Sequence, residues 1–287
     1  MATTFKQRKT IQVVLTHCVL ILLGIIFAAP FFWIISTAVK PINETMATPP
    51  KWIPSQVLWE NFPKAISYNS EELGYIPLLV YARNTIVVTI LCVVGSVLSN
   101  ALVAYSFARL KWPGKDLFFA LTLATMMIPF PVLMVPTFSL FRYLGWIGTF
   151  RPLWVPAFFG SAFSIFLLRQ FFKTIPMELS EAAKIDGASE VRTFFSVIVP
   201  LARPALTVVA IFTFMGTWND FLGPLIYLVD QKTFTLSVGL QAYQTQHGGT
   251  PWNLLMAATL LVILPLVIVF FFAQKVFIQG IATSGIK

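Results

Sequence analysis

Residues Met177–Ala205 read MELSEAAKIDGASEVRTFFSVIVPLARPA, a charged island in an otherwise apolar chain. From Lys173 to Arg203 there are eight ionisable side chains: Lys173, Glu178, Glu181, Lys184, Asp186, Glu190, Arg192 and Arg203. A charge at a bilayer centre costs about 2.5–3.5 kcal/mol on insertion scales, so this segment lies in water between two apolar spans. Pro176 can open a short helix on which Leu179, Ala182, Ala183 and Asp186 share one small, mostly apolar face. Gly187 suits the left-handed position just past the end of that helix. Ser189 is the N-cap of a second helix, with Glu190 near its positive end. There Val191, Phe194, Phe195 and Ile198 form an i, i+3, i+4, i+7 stripe, and Pro200 and Pro204 end or kink the helix before the next span. Two readings of this knuckle stay open on pattern alone: a solvated loop, or a docking element.

Working outward, the chain has 287 residues, 57% hydrophobic and 11% charged. A soluble domain carries about 25% charged residues, so the composition predicts an all-α integral membrane protein. Six apolar runs are near the length that spans about 30 Å of hydrocarbon. They cover 11–35, 84–107, 117–140, 153–172, 205–229 and 254–273, in a single transmembrane domain over 1–287, with 173–204 as the charged loop. The first run is too long for a secretory signal and reads as an uncleaved span. Span three carries Pro129, Pro131 and Pro136, which bend a helix either to line a pathway or merely to pack. The segment 40–83 is polar and proline-rich, with Trp52, Trp59 and Tyr75 placed as boundary anchors.

Six spans put both termini on one side. The connections on that side hold most of the 20 basic residues, among them Lys6, Arg8, Lys9, Arg109, Lys111, Lys115, Arg169, Lys173, Lys184 and Arg192. By the positive-inside rule the termini and the knuckle are cytoplasmic. The same pattern accounts for the net charge of +9 without nucleic acid, since the cations sit at the ends of apolar runs.

The chemistry that is missing narrows the function. Gly114-Lys115 is followed by Asp116, so no phosphate-binding loop of the G-x-x-x-x-G-K-[ST] type is present. His17 and His247 have no carboxylate or cysteine at metal or triad spacing, and Cys18 and Cys92 read as small buried hydrophobes. Neither catalysis nor a metal site is expected. An ion-coupled secondary transporter is the rival reading, and such proteins place ionisable groups at mid-membrane beside broken helices and inverted repeats. Here Asp220 is the only acid within an expected span, and the two halves show no clear repeat. With Trp218 and Asn219 it forms a candidate pathway cluster; Asp220 faces either a polar cavity or a neighbouring helix.

Glu181-Ala182-Ala183, then Gly187, Val197, Val199 and Pro200, resembles the EAA loop of membrane subunits of ABC importers. The string EAAKIDGAS is similar to the carbohydrate-uptake branch, as are Trp218-Asn219-Asp220-Phe221, Trp252-Asn253-Leu254-Leu255 and the tail from Phe277 to Lys287. The tail lacks the final glycine usual in the maltose-type second permease subunit. The resemblance implies a type I permease fold with coupling helices that dock into a separate ATPase subunit. Glu181, Ala182, Ala183, Asp186, Gly187, Ser189, Phe194 and Pro200 would serve that coupling, Glu181 orienting the knuckle and a Phe194/Phe195 stripe tying it to the spans. It further implies a second homologous permease, two ATPase subunits that bind ATP and Mg, an extracytoplasmic solute-binding protein, and surrounding inner-membrane lipid. This chain itself would hold no cofactor, and the solute would be a sugar or related compound moved by alternating access.

Overall fold

The computed structural model describes the backbone of residues 5–244 and 249–284 and the side chains of residues 10–244 and 249–274. His247 and the side chains of the tail motif lie outside the described residues. Among those described, every regular element is helical. Four helical stretches are long and apolar enough to cross a membrane: Thr10–Ala38, Pro77–Arg109, Arg151–Thr174 and Trp252–Gln274. Two bent pairs bring the number to six.

Three of the expected spans are interrupted, and each interruption has a local cause. Span three runs Lys115–Ala124, tightens through Thr125–Met127 and resumes at Phe130–Tyr143 after a turn of 100°. Pro129 produces that turn, because proline pushes its predecessor, here the extended Ile128, out of the helical region; Pro131 sits in the first turn of the resumed helix, where its missing N–H costs nothing. Span four is Arg151–Trp154, a tight turn Val155–Phe159, and then Ala162–Thr174. Gly160 between them has φ +83°, which a residue with a Cβ adopts only at a cost. Span five, expected as one helix over 205–229, ends at Trp218 and restarts at Leu222–Tyr227. Sixteen residues rise about 24 Å, so Arg203–Trp218 alone is shorter than the hydrocarbon thickness; the bent pair counted as a span by length and composition joins it to Glu190–Leu201.

Span two, Pro77–Arg109, is unbroken over 33 residues and carries the partners for the interruption of span four and for the loop that follows span five. Asn100 is buried; its Oδ1 accepts the Ser161 N–H at 2.7 Å, just beyond Gly160. Ser99 donates to the Ala157 carbonyl at 3.0 Å and Cys92 to the Leu153 carbonyl at 3.3 Å. Toward the Pro77 end, Thr85 Oγ1 accepts the Leu236 N–H at 2.8 Å, and Asn84 donates to the carbonyls of Lys232 and Phe234. Apolar packing occupies the two ends. The inner cluster joins Ala104, Tyr105, Leu168, Phe172, Phe194, Ile198 and Val209; the outer one joins Ala38, Leu78, Tyr81, Trp218, Leu236, Tyr243 and Ala258.

The connection between spans one and two is ordered by a small polar knot. Asn61 Nδ2 donates to the carbonyls of Ala38 and Lys40, and Lys51 and the Ser55 N–H both bond the Glu44 carboxylate. These two partners hold the Glu44 carboxyl down at about 2. The buried Lys40 ammonium lies 4.1 Å from the centre of the Trp33 ring, and Trp52 meets Trp33 edge-on.

Two outcomes follow from this framework. Asn100→Leu keeps the volume but strands the Ser161 N–H, so it should lower the melting temperature in detergent by the equivalent of about 1–3 kcal/mol. Val94→Leu, on the exposed side of the same helix, should be near neutral; equal melting curves for the two would count against the framework. The second outcome concerns pH. Because the Glu44 pKa is depressed on folding, the ordering it contributes is full above the ordinary carboxylate value and is lost as pH falls through about 2. Trp52 fluorescence should therefore stay native-like at pH 4, and in Glu44→Gln the acid transition should disappear or shift.

Candidate functional site: the knuckle and the polar layer

The knuckle is built from two local caps. Its first helix is Met177–Ile185, and Asp186 closes it. The Gly187 N–H bonds the Lys184 carbonyl at 3.0 Å and the Ala188 N–H bonds the Ala183 carbonyl at 2.9 Å, the paired bonds of a Schellman ending. Gly187 has φ +79° with no atom within 4 Å of where a Cβ would sit, so conformation, not space, requires glycine. Ser189 caps the next helix, Glu190–Thr193, by accepting the Arg192 N–H at 3.3 Å. The chain then widens into a π-turn over Phe194–Ile198, continues through Val199–Leu201, and bends 80° into span five. Pro200 lies in that last turn, where the tight connection at Ala202 begins.

Three sets of contacts hold the knuckle to the spans. Arg109, at the end of span two, donates to the Pro176 carbonyl at 3.1 Å and to Met177 Sδ at 3.3 Å. Tyr105 donates to Glu190 at 2.8 Å, and Glu190 is ion-paired with Lys184, so one carboxylate joins both short helices to span two. Phe194 and Ile198 are buried in the inner cluster, with Ser180 and Thr193 buried beside it. The expected four-residue stripe is therefore corrected. Phe194 and Ile198 turn inward, whereas Val191 and Phe195 are 67% and 53% exposed. One wide turn between the two halves breaks the 3.6-residue phase on which the stripe was read.

On the outward side, Glu181, Ala182, Asp186, Gly187 and Ser189 are exposed and Ala183 is half-buried. Ile185 is 87% exposed at the tip, and the sequence reading did not single it out. The signal was there: an apolar residue beside the glycine cap has no helical neighbour to cover it.

Between the two apolar clusters lies a polar layer. Thr213 of span five donates to Ser96 at 3.0 Å, and Asn100 donates to both the carbonyl and the hydroxyl of Ser96. These groups, with Cys92, Ser161, Ser164 and Thr217, line a cavity of about 280 Å³. Asp220 lines a smaller cavity of about 40 Å³ with Thr85, Thr217 and Thr235, and accepts the Gly223 N–H at 3.1 Å. Of the two readings of Asp220, the structure gives the polar cavity, and its carboxylate also caps the break in span five. Trp218 departs from the pathway cluster. Its ring is buried against Phe214 and its indole donates to the Val262 carbonyl at 3.1 Å, so it locks span five to span six. Asn219 is exposed and bonds back to the Met215 carbonyl. Ser96, Asn100 and Thr213 were missed because single hydroxyls and amides scarcely lower the hydropathy of a span. Among the described residues no cluster of three or more His, Cys, Asp or Glu has metal-holding geometry.

Comparison with known proteins agrees with this architecture. Residues 99–283 match the family described as binding-protein-dependent transport system inner membrane component. The arabinooligosaccharides transport system permease protein AraQ of Halalkalibacterium halodurans is 37% identical over 204 residues, 71% of this chain and 72% of that protein. The sn-glycerol-3-phosphate transport system permease protein UgpE of Salmonella typhi is 31% identical over 272 residues, 94% and 96% of the two chains. The trehalose/maltose transport system permease protein MalG of Thermococcus litoralis is 30% identical over 268 residues, 93% and 94%. A chain from the crystal structure of a bacterial ABC transporter involved in the import of the acidic polysaccharide alginate superposes with a TM-score of 0.82 at 21% identity, covering 96% of this chain and 99% of that one, which shows the shared fold. The chain belongs to the binding-protein-dependent transport system inner membrane component family, and is a multi-pass, non-catalytic permease subunit of an ABC importer.

Proposed function

We propose that this permease moves a sugar or related polyol, and that its knuckle docks into a separate ATPase subunit where ATP and Mg are bound. The observation that carries the docking is the apolar tip. Ile185 and Val191 stand 87% and 67% exposed on a charged segment that cannot enter the bilayer, and apolar side chains so placed are stabilised by a partner's surface. Glu181 and Asp186 flank that tip and offer charge-assisted contacts. The termini and the knuckle are cytoplasmic, and a second homologous permease, a pair of ATPase subunits and an extracytoplasmic binding protein complete the importer.

The mechanism rests on stiffness. A push on Met177–Ile185 reaches span two through Arg109 and Tyr105–Glu190, and span five through the bend at Ala202. Both walls of the polar layer therefore move with the knuckle, which opens the central path to one side and then the other. Ser96, Asn100, Ser161, Thr213 and Thr217 present neutral donors and acceptors suited to hydroxyl groups, and this favours a carbohydrate over a coupling ion. The names of the relatives point the same way.

Gly187→Val should strain the left-handed turn by about 1 kcal/mol or more while leaving the spans inserted. ATP hydrolysis measured on the assembled importer should then lose its link to solute uptake. Ile185→Glu should weaken co-purification of the ATPase about tenfold or more, with normal membrane levels; Lys232→Ala, on the opposite face, should be mild. Normal coupled uptake in both Gly187→Val and Ile185→Glu would sink the lever assignment. In vesicles, uptake should require ATP inside and survive a protonophore; uptake that persists without ATP and collapses with the ion gradient would overturn the energetic reading.

A further inference from the structure

We infer that the groove between spans two, three and four, at the knuckle end, is a site for one anionic phospholipid. A cavity of about 510 Å³ lies between Val103 and Phe107 of span two, Phe118 and Thr122 of span three, and Ile165 of span four. It ends at Trp112. A second cavity of about 410 Å³ begins at the same Trp112 and is walled by Lys111, Lys115 and Asp116. An apolar channel and a polar chamber thus share one side chain.

The polarity runs in the direction a lipid needs. Phe118, Thr122 and Thr125 lie at i, i+4 and i+7 beside the channel, a face about 10 Å long that is open to an acyl chain. Thr122 bonds the Phe118 carbonyl, so it presents its methyl group and not a free hydroxyl. In the chamber two ammonium groups face one carboxylate, a net cationic lining. Lys115 spends one donor on the Leu110 carbonyl and keeps two. The Trp112 indole N–H is buried with no acceptor, while its ring is held by Phe107 and Phe118 at 5.6 and 5.9 Å.

Depth is fixed independently. Arg109, three residues before Trp112, bonds the base of the knuckle at Pro176, which places the chamber at the water boundary and the channel in the hydrocarbon. Juxtamembrane lysines at that level attract anionic headgroups. The lipid would sit three residues along the chain from the Arg109 contact that fixes the knuckle.

The test uses the protein in its own membrane. A benzophenone-bearing phenylalanine replaces Thr125, cells are irradiated, and the mass of the adduct is read. The expected adduct is a phospholipid with an anionic headgroup. Its yield relative to zwitterionic lipid should fall roughly fivefold for each of Lys111→Gln and Lys115→Gln, and stay unchanged in Lys232→Gln. An adduct to a polypeptide would assign the groove to a neighbouring subunit and overturn the site. Absence of any lipid adduct, or a lipid yield indifferent to Lys111 and Lys115, would overturn it as well.

Discussion

A helix that breaks inside a bilayer frees N–H and C=O groups that no water can reach, and each must be bonded within the protein. Most of this structure can be understood from how that constraint is met. Spans three, four and five are broken by proline, glycine or a capping aspartate, whereas span two is not. The intact helix supplies the missing partners of span four, where Cys92, Ser99 and Asn100 bond the Leu153 and Ala157 carbonyls and the Ser161 N–H, and Asn84 and Thr85 bond the loop that follows span five in the same way. Polar residues sit in span two because other spans are interrupted. The cavity between them follows from the same cause, since breaks and their caps keep neighbouring helices from closing over an apolar seam.

The knuckle extends this logic to the water boundary. Its inner side is fixed by one cation, one phenol and two buried apolar side chains, so it cannot swing without moving span two. Its outer side carries little that the rest of the chain uses. An element anchored on one side and unsatisfied on the other transmits force instead of absorbing it. Glu190 is central here, because it holds Tyr105 and Lys184 at once and so makes two short helices, each too short to be stable alone, behave as one body.

What could be read from the sequence divides by range. The caps at Gly187 and Ser189 are chemistry within four residues, and they were legible. Four spans were legible by length and composition. The breaks in spans four and five were not, because an apolar run has the same composition straight or bent; Gly160 and Asp220 mark them only once their partners across the fold are known. The π-turn at Phe194–Ile198 has no residue signature, and it misled the reading of Phe195. Trp218 looked like a pathway residue beside Asp220, yet two residues separate a side chain buried against span six from one facing the cavity. The motif resemblance located the family but could not assign the faces.

Span two also sets a rule about length. Its bonding residues are read by partners on at least four separate segments, each at its own set angle around one continuous helix. Replacing any one of them breaks only the bonds of that side chain. Removing or adding one residue near its middle would turn everything beyond by about 100° and sever the contacts to Ser161, Glu190 and Pro176 together. In this fold, then, the number of residues between Pro77 and Arg109 is constrained more tightly than the identity of most of them, and alleles should vary there by exchange and not by insertion.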